Sequence, residues 1–304
     1  MLRFIIVAVA FGPLVVAAET IPLFNVKNEE LLEESRVLRK LDENKAQRGQ
    51  IRVDFQGYTK AGDMTDNAPN KLFSNVDEAL LTKPSYKNFL ALTNNFWRQS
   101  GKTEPRGSKD EEARKIKALL DTVLMSKPMV EVYNFLKKKG HPYAANPMVW
   151  ATKIKQLWFE HYSRSRGAVD SSGFEHVFIG EEKNGEVSGL HNWVRFYALE
   201  KNATENFDYK GFIVKRGNVM GNLKFTWGKI LKKSGSIMIG TSPDYDMALY
   251  TLCFLSRRGN QQCQVEIDGC PMSITSYDFT WNNKVHIGTI YPTAGPPSPK
   301  CGRQ

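Results

Sequence analysis

Two textures of apolar and polar residues divide the chain. Between about Asn28 and Tyr162 apolar residues recur every three or four positions: Leu31, Leu38 and Leu41; Ile116, Leu119, Leu120 and Val123; Val149, Ile154, Leu157 and Trp158. That spacing lays an apolar stripe along each of a series of helices. The connecting pieces QGYTKAGDMTDNAPN and RQSGKTEPRGSKDEE are polar and turn-rich, and Ser108 followed by Glu111 predicts a capping box on the helix after the second. After about Gly173 the runs shorten to FEHVFIG, DYKGFIVK, LKFTW, SIMIGT, ALYTLCFL, CQVEIDG and VHIGTIYP, β-branched and aromatic and punctuated by Gly, Asn and Pro, which predicts antiparallel strands. One helix interrupts them, because Trp193, Phe196, Tyr197 and Leu199 keep helical spacing. The tail TAGPPSPKCGRQ forms no regular structure unless Cys301 is tethered. The pattern predicts an α+β chain in one continuous unit over residues 19–300, a mainly helical N-terminal lobe (19–165) packed with an antiparallel-sheet C-terminal lobe (166–300).

The first residues belong to neither texture. Arg3 precedes the apolar run FIIVAVAFGPLVVAA, which is short for a membrane crossing and ends in small residues before Glu19. It predicts a signal peptide over residues 1–18 and a secreted mature chain with no membrane span; the alternative is a membrane anchor. In a secreted chain the four cysteines, Cys253, Cys263, Cys270 and Cys301, permit disulfides with three possible pairings, and the lack of a CxxC pair argues against zinc. Cys253 and Cys263 flank what reads as a hairpin loop and would face each other across strands; equally, Cys253 reads as a buried free thiol. Asn202-Ala203-Thr204 is an N-glycosylation sequon.

Charge points to the class of partner. Without Arg3 there are 41 basic against 32 acidic side chains, a net charge of about +9 that favours polyanions. From Tyr209 to Pro243 seven basic residues stand with no Asp or Glu, interleaved with Tyr209, Phe212, Phe225 and Trp227. This reads either as cations for phosphates beside rings for bases or as a solvated face over core aromatics.

The candidate chemistry lies in GFEHVFIGEEKNGEVSGLHN. Asn184-Gly185 predicts a type I′ hairpin turn. Counting outward, Lys183 opposes Glu186, Gly180 opposes Gly189 and Phe178 opposes His191, so His176 and His191 share one face as diagonal neighbours, ~7–8 Å apart at Cα. A bulge at Gly180 and Gly189 would alter that count while keeping the rings close. Two histidines in opposite protonation states supply a base and an acid at neutral pH. Cleaving RNA through its own 2′-hydroxyl needs such a pair, with a cation for the charge growing on the phosphoryl oxygens. The products are a 2′,3′-cyclic phosphate and a 5′-hydroxyl, and DNA survives for want of the attacking group. His141, His161 and His286 have no such setting and read as structural.

GFEHVFIGE followed by GLHNW resembles the paired-histidine signature of the EndoU (XendoU-like) family of poly(U)-specific endoribonucleases. LDENKAQRG, LFSNVDEALLTKPSYKNFLALTNNF, LWFEHYSRSRGAVDSSGFEHVF, GSIMIGTSPDYDMALYTLCFL and HIGTIYPT also read like members, so the resemblance spans nearly the whole mature chain. It implies His176 and His191 as the acid/base pair, completed by a lysine four residues before a serine. In WGKILKKSGSIMIG that spacing selects Lys232 with Ser236, while Lys229 and Lys233 stay open. Ser236 is implied to meet the uracil or ribose edge, and Tyr291 of TIYP to stack on the uridine. Glu175 and Glu181 match acidic positions associated with activity, either setting histidine tautomers or holding a cation, and family members are implied to depend on Mn²⁺ or sometimes Ca²⁺. Strand alternation places Glu175 and Glu181 opposite His176, which favours a structural or allosteric cation. SPDYD stands where the family has SPEFE. By analogy His191 is the base and His176 the acid. The implied protein is a secreted monomer that cleaves single-stranded uridine-rich RNA; the alternatives are a secreted RNA-binding protein without catalysis and a metal-dependent hydrolase built on Glu175, His176, Glu181 and His191.

Overall fold

A computed structural model describes residues 17–165 and 167–302, so nearly all of the expected signal peptide lies outside the described residues. The N-terminal part comprises α1 (Asn28–Leu41), β1 (Ile51–Val53), β2 (Phe73–Val76), α2 (Glu78–Leu81), α3 (Pro84–Leu92), α4 (Lys109–Met125), α5 (Lys127–Lys138) and α6 (Pro147–Phe159). The C-terminal part follows with β3 (Glu181–Lys183), β4 (Glu186–Ser188), α7 (Trp193–Lys201), β5 (Phe207–Arg216), β6 (Met220–Trp227), β7 (Ile230–Met238), α8 (Pro243–Ser256), β8 (Cys263–Ile267), β9 (Cys270–Trp281) and β10 (Lys284–Ala294).

Most helices begin where the sequence offers a side-chain oxygen to the first turn. Ser108 accepts from the Glu111 N–H, Ser126 from Met129, Asn146 from Met148 and Val149, Asn192 from Arg195, and Ser242 from Tyr245. The strands form two three-stranded antiparallel sheets, β5-β6-β7 and β10-β9-β8, with two small pairs, β1-β2 and β3-β4. Asn184 and Gly185 take the positive φ of the predicted turn, 52° and 75°, and Lys183 pairs with Glu186 as counted.

Two segments depart from the predicted strands. ALYTLCFL lies in α8, where every residue from Pro243 to Leu255 is buried. A helix covered on all sides has no polar face, so its sequence shows no period and its aromatic and apolar content resembles a strand. FEHVFIG is a single π-helical turn, Glu175–Ile179, rather than a strand. Within the N-terminal part, β1 and β2 add a short antiparallel pair to an otherwise helical region.

α8 is the post on which both parts rest, packing on α1, α3, α4 and α5 on one side and on β9 on the other. Its N-terminal end is tied to the helical part by Ser242, which donates to Asp42 at 2.6 Å, and by Ser85, which donates to Asp244. Its last turn carries Cys253, disulfide-bonded to Cys263 at the start of β8, while Cys270 at the start of β9 is bonded to Cys301. These bonds close the pairing question, remove the free-thiol reading of Cys253 and tether the tail. No helix among the described residues is long and apolar enough to cross a membrane.

The basic stretch resolves mostly in favour of core aromatics. Tyr209, Phe225 and Trp227 are buried, and Lys224 is buried with its ammonium on the Thr59 hydroxyl at 2.8 Å. The rings therefore pack the sheet, and the cations of this stretch that reach open space are Lys215, Lys229 and Lys233.

Candidate active site

The two histidines are brought together by main chain. The Ser172 hydroxyl accepts from the Glu175 N–H at 3.1 Å, opening the π turn that carries His176. After the β3-β4 hairpin, Gly189 and Leu190 both adopt left-handed φ, 68° and 64°, and the chain doubles back. Leu190 N–H then donates to the His176 carbonyl at 3.1 Å and His191 N–H to the Val177 carbonyl at 2.7 Å. A Cβ on Gly189 would lie 1.7 Å from the His176 carbonyl oxygen, so only glycine permits this closure. The predicted ladder pairing of Phe178 with His191 is replaced by this contact, because strand pairing stops at Gly180 and Gly189, where the sequence allowed a bulge.

The same change of path corrects the acidic residues. Glu181 is not opposite His176: with residue 176 in a helical turn, Glu181 comes round beside it, and its carboxylate accepts from His176 Nδ1 at 2.7 Å. An ionised carboxylate accepts only, so the proton sits on Nδ1 and Nε2 is left for chemistry. His191 Nδ1 donates to the Ser236 carbonyl at 2.9 Å, which likewise frees its Nε2. Asn192, next in the chain, donates to Asp246 of α8 at 3.0 Å and caps α7, so the SPDYD segment supports His191 from behind.

Both rings face one cavity of about 770 Å³, whose lining includes His176, His191, Lys232, Ser236 and Tyr291. Neither Lys229 nor Lys233 lines it, so of the three candidate lysines Lys232 is the one at the site. The Tyr291 ring lies 5.5 Å from that of His191. Glu181 and Glu175 sit in the buried layer behind His176. Sequence reasoning missed Arg164, which also lines the cavity: its Nη2 donates to the Tyr162 hydroxyl at 2.8 Å and its Nε lies 3.6 Å from Glu181. Its one sequence signal was position, a basic residue twelve before His176 within the family-like block.

Burial sets the electrostatics. Loss of water, then the Lys232 cation, hold His191 well below the ordinary histidine value, so it is neutral at pH 7. Burial and Arg164 also lower His176, and the Glu181 carboxylate offsets part of that, so His176 too lies below the ordinary histidine value. Burial raises Glu181, and its hydrogen bond to His176 with the charges of His176 and Arg164 outweighs that and keeps it ionised. Half-buried Lys232 is lowered by desolvation to about 8 and remains a cation at neutral pH. Glu175 is fully buried with neither carboxylate oxygen hydrogen-bonded, and burial, then Glu181, Glu104 and Asp170, push it well above the carboxylate range. It is a neutral acid in this setting.

The Mn²⁺ or Ca²⁺ implied by the family resemblance does not fit these residues as arranged. Among the described residues no group of three or more His, Cys, Asp or Glu side chains converges to hold a metal. Glu181 is already committed to His176, and Glu175 alone falls far short of the six to eight oxygens that Ca²⁺ takes.

Residues 30–292 match the family Endoribonuclease XendoU. The chain is 36% identical over 278 residues to a uridylate-specific endoribonuclease of Mus musculus, covering 88% of this chain and 66% of that protein. It is 33% identical over 286 residues to poly(U)-specific endoribonuclease-B of Xenopus laevis, covering 87% and 94%. It thus spans just under two thirds of the mouse relative's length and nearly all of the frog one's. The solved structure described as XendoU, a splicing independent snoRNA processing endoribonuclease, superposes with a TM-score of 0.74 at 30% identity, over 90% of this chain and 99% of that one. By sequence over most of its length and by fold, the chain belongs to the XendoU family of endoribonucleases.

Proposed function

We propose that the protein is an endoribonuclease that cuts single-stranded RNA at uridines through the ribose 2′-hydroxyl, leaving 2′,3′-cyclic phosphate and 5′-hydroxyl ends. The observation that carries this reading is the pair of histidines on one cavity with opposite Nδ1 partners, a carbonyl for His191 and a carboxylate for His176. Neutral His191 takes the 2′-hydroxyl proton at Nε2. The oxygen attacks phosphorus, Lys232 meets the negative charge that grows on the phosphoryl oxygens, and His176, in its protonated form with Nδ1 held on Glu181, gives its Nε2 proton to the departing 5′-oxygen. Tyr291 and the Ser236 hydroxyl are the candidates for holding the uracil and ribose. Every step runs on side chains of this chain, and none is routed through a metal.

Secretion fits the two disulfides, which persist in oxidising compartments. Exposed Asn202 at the end of α7 is the proposed glycan acceptor. End-group analysis of fragments from a uridine-rich RNA tests the chemistry: cyclic-phosphate ends are expected, and 3′-hydroxyl ends would refute it. A deoxyribose at the scissile uridine should block the cut there.

A further inference from the structure

The cavity continues past the catalytic groups to a wall they do not use. Arg216 at the end of β5, Asn222 on β6 and Ser234 on β7 stand there, with Asn222 directly across the ladder from Ser236. Arg216 is half-buried, and its hydrogen bonds go to carbonyls: Nε donates to Gly295 at 2.8 Å, Nη1 to Lys215 at 3.0 Å, and Nη2 to Gly295 as well. A guanidinium has five N–H donors, so two remain, with a full positive charge that none of these bonds neutralises. Asn222 Oδ1 accepts from the Ser234 hydroxyl at 2.9 Å. That leaves the amide Nδ2 donors without a protein partner among the described residues.

The guanidinium is also held in place. Gly295 follows β10, and its own N–H donates to the Pro271 carbonyl at 3.1 Å, beside the Cys270–Cys301 disulfide. Gly217, next to Arg216, lies against Cys301. Arg216 therefore bridges the two sheets at the end of the cavity, and its direction is fixed by that seam rather than by β5 alone. A preorganised cation and a free amide edge on one wall are the donor set that recognises a phosphate. At about 770 Å³ the cavity is toward the large end of small-molecule pockets.

We infer that Arg216 and Asn222 form a second phosphate subsite, which takes the phosphodiester next to the scissile one, so that the cavity reads a strand and not a single uridine. This rests on the endoribonuclease reading above and names more of its substrate. Because the subsite lies on the Ser236 side of the catalytic groups, it takes the phosphate on one flank of the uridine.

The test uses three substrates: UpU, the same dinucleotide with a 5′-phosphate, and the same dinucleotide with a 3′-phosphate. The wild type is expected to favour one phosphorylated form over UpU by about tenfold or more in kcat/KM, the scale of a charge-assisted contact, and which form is favoured identifies the flank. Arg216→Gln and Asn222→Asp, made separately, should each bring that preference near one. Asn222→Asp keeps the side chain's shape and stands clear of the seam, so it tests the subsite even if Arg216→Gln loosens the fold. A wild type indifferent to both terminal phosphates, or variants that keep the preference, overturn the inference. If the wild type cleaves none of the three, the endoribonuclease reading falls instead, and the subsite is read by binding. A 2′-deoxyuridine oligonucleotide titrated against salt should then lose about 0.7 from the slope of log K on log salt in Arg216→Gln, one phosphate's worth on a single strand. An unchanged slope overturns it.

Discussion

His176 and His191 are the same residue in opposite settings. Both are buried and both donate from Nδ1. His176 backs onto an acidic layer of Glu181 and Glu175, inside a helical turn. His191 backs onto a peptide carbonyl, beside Lys232 and at the foot of α7. The carboxylate offsets part of the burial that lowers His176, whereas the ammonium adds to the burial that lowers His191, so the proposed acid and base are distinguished by their neighbours and not by their chemistry.

The sharpest way to break this comparison is to remove each ring. His176→Ala and His191→Ala should each cost about 10²–10⁴-fold in kcat/KM on uridine-rich RNA. They should part company on uridine 3′-(4-nitrophenyl phosphate), whose leaving group needs no proton: His176→Ala is expected to recover most of its loss there and His191→Ala none. Equal recovery would mean the roles are reversed or shared. Lys232→Met, which takes away the cation that serves both halves of the reaction, should cost about 10²–10³-fold. Glu181→Gln removes only what distinguishes His176, and a loss of roughly 10–100-fold is expected, the size of one hydrogen bond to a charged group. It should spare the nitrophenyl substrate more than RNA.

The pH profile adds a finer test. Lys232 is lowered to about 8, so it is charged below that value and neutral above it, and kcat/KM should fall as pH rises past about 8. Lys232→Arg, which keeps its charge, should move that limb upward even if the rate is low. The smallest effect expected is on stability. Burial and then Arg258 lower His141 from 6.5 to about 4, while its Nδ1 accepts the Tyr143 N–H. The unfolded chain therefore binds a proton at this residue between those values while the folded one does not, and stability should decline as pH falls from about 6.5 to about 4. Urea titrations of wild type and His141→Gln across that window measure it.

Much of the molecule is legible in the sequence where periodicity meets a solvent boundary. The stripes on α4 and α6, the strands β5, β6, β7, β8 and β10 and the helical spacing from Trp193 all follow from one face packing and the other facing water. α8 escaped because it has no such boundary. The π turn escaped because EHVFI has strand composition, and its helical geometry is imposed by the Ser172 bond and by the return of the chain at Gly189. The histidine pair was legible through the Asn-Gly turn, although the contact that unites the rings lies beyond the ladder that suggested it. Arg164 was not legible as a lining residue, since an arginine in a loop usually faces solvent, and Arg216 was legible only as one of seven cations in the acid-free stretch; the tertiary seam is what turns it toward the cavity.

Gly189 leaves one further consequence. Because the amides of Leu190 and His191 dock on the carbonyls of His176 and Val177, the gap between the proposed proton giver and proton taker is a property of the peptide chain. Side-chain repacking, swelling of the core or loss of a salt bridge elsewhere would alter how tightly substrate is gripped long before it alters that gap. Gly189→Ala, by contrast, would force a methyl into an occupied carbonyl and disable the pair in a protein otherwise able to hold RNA.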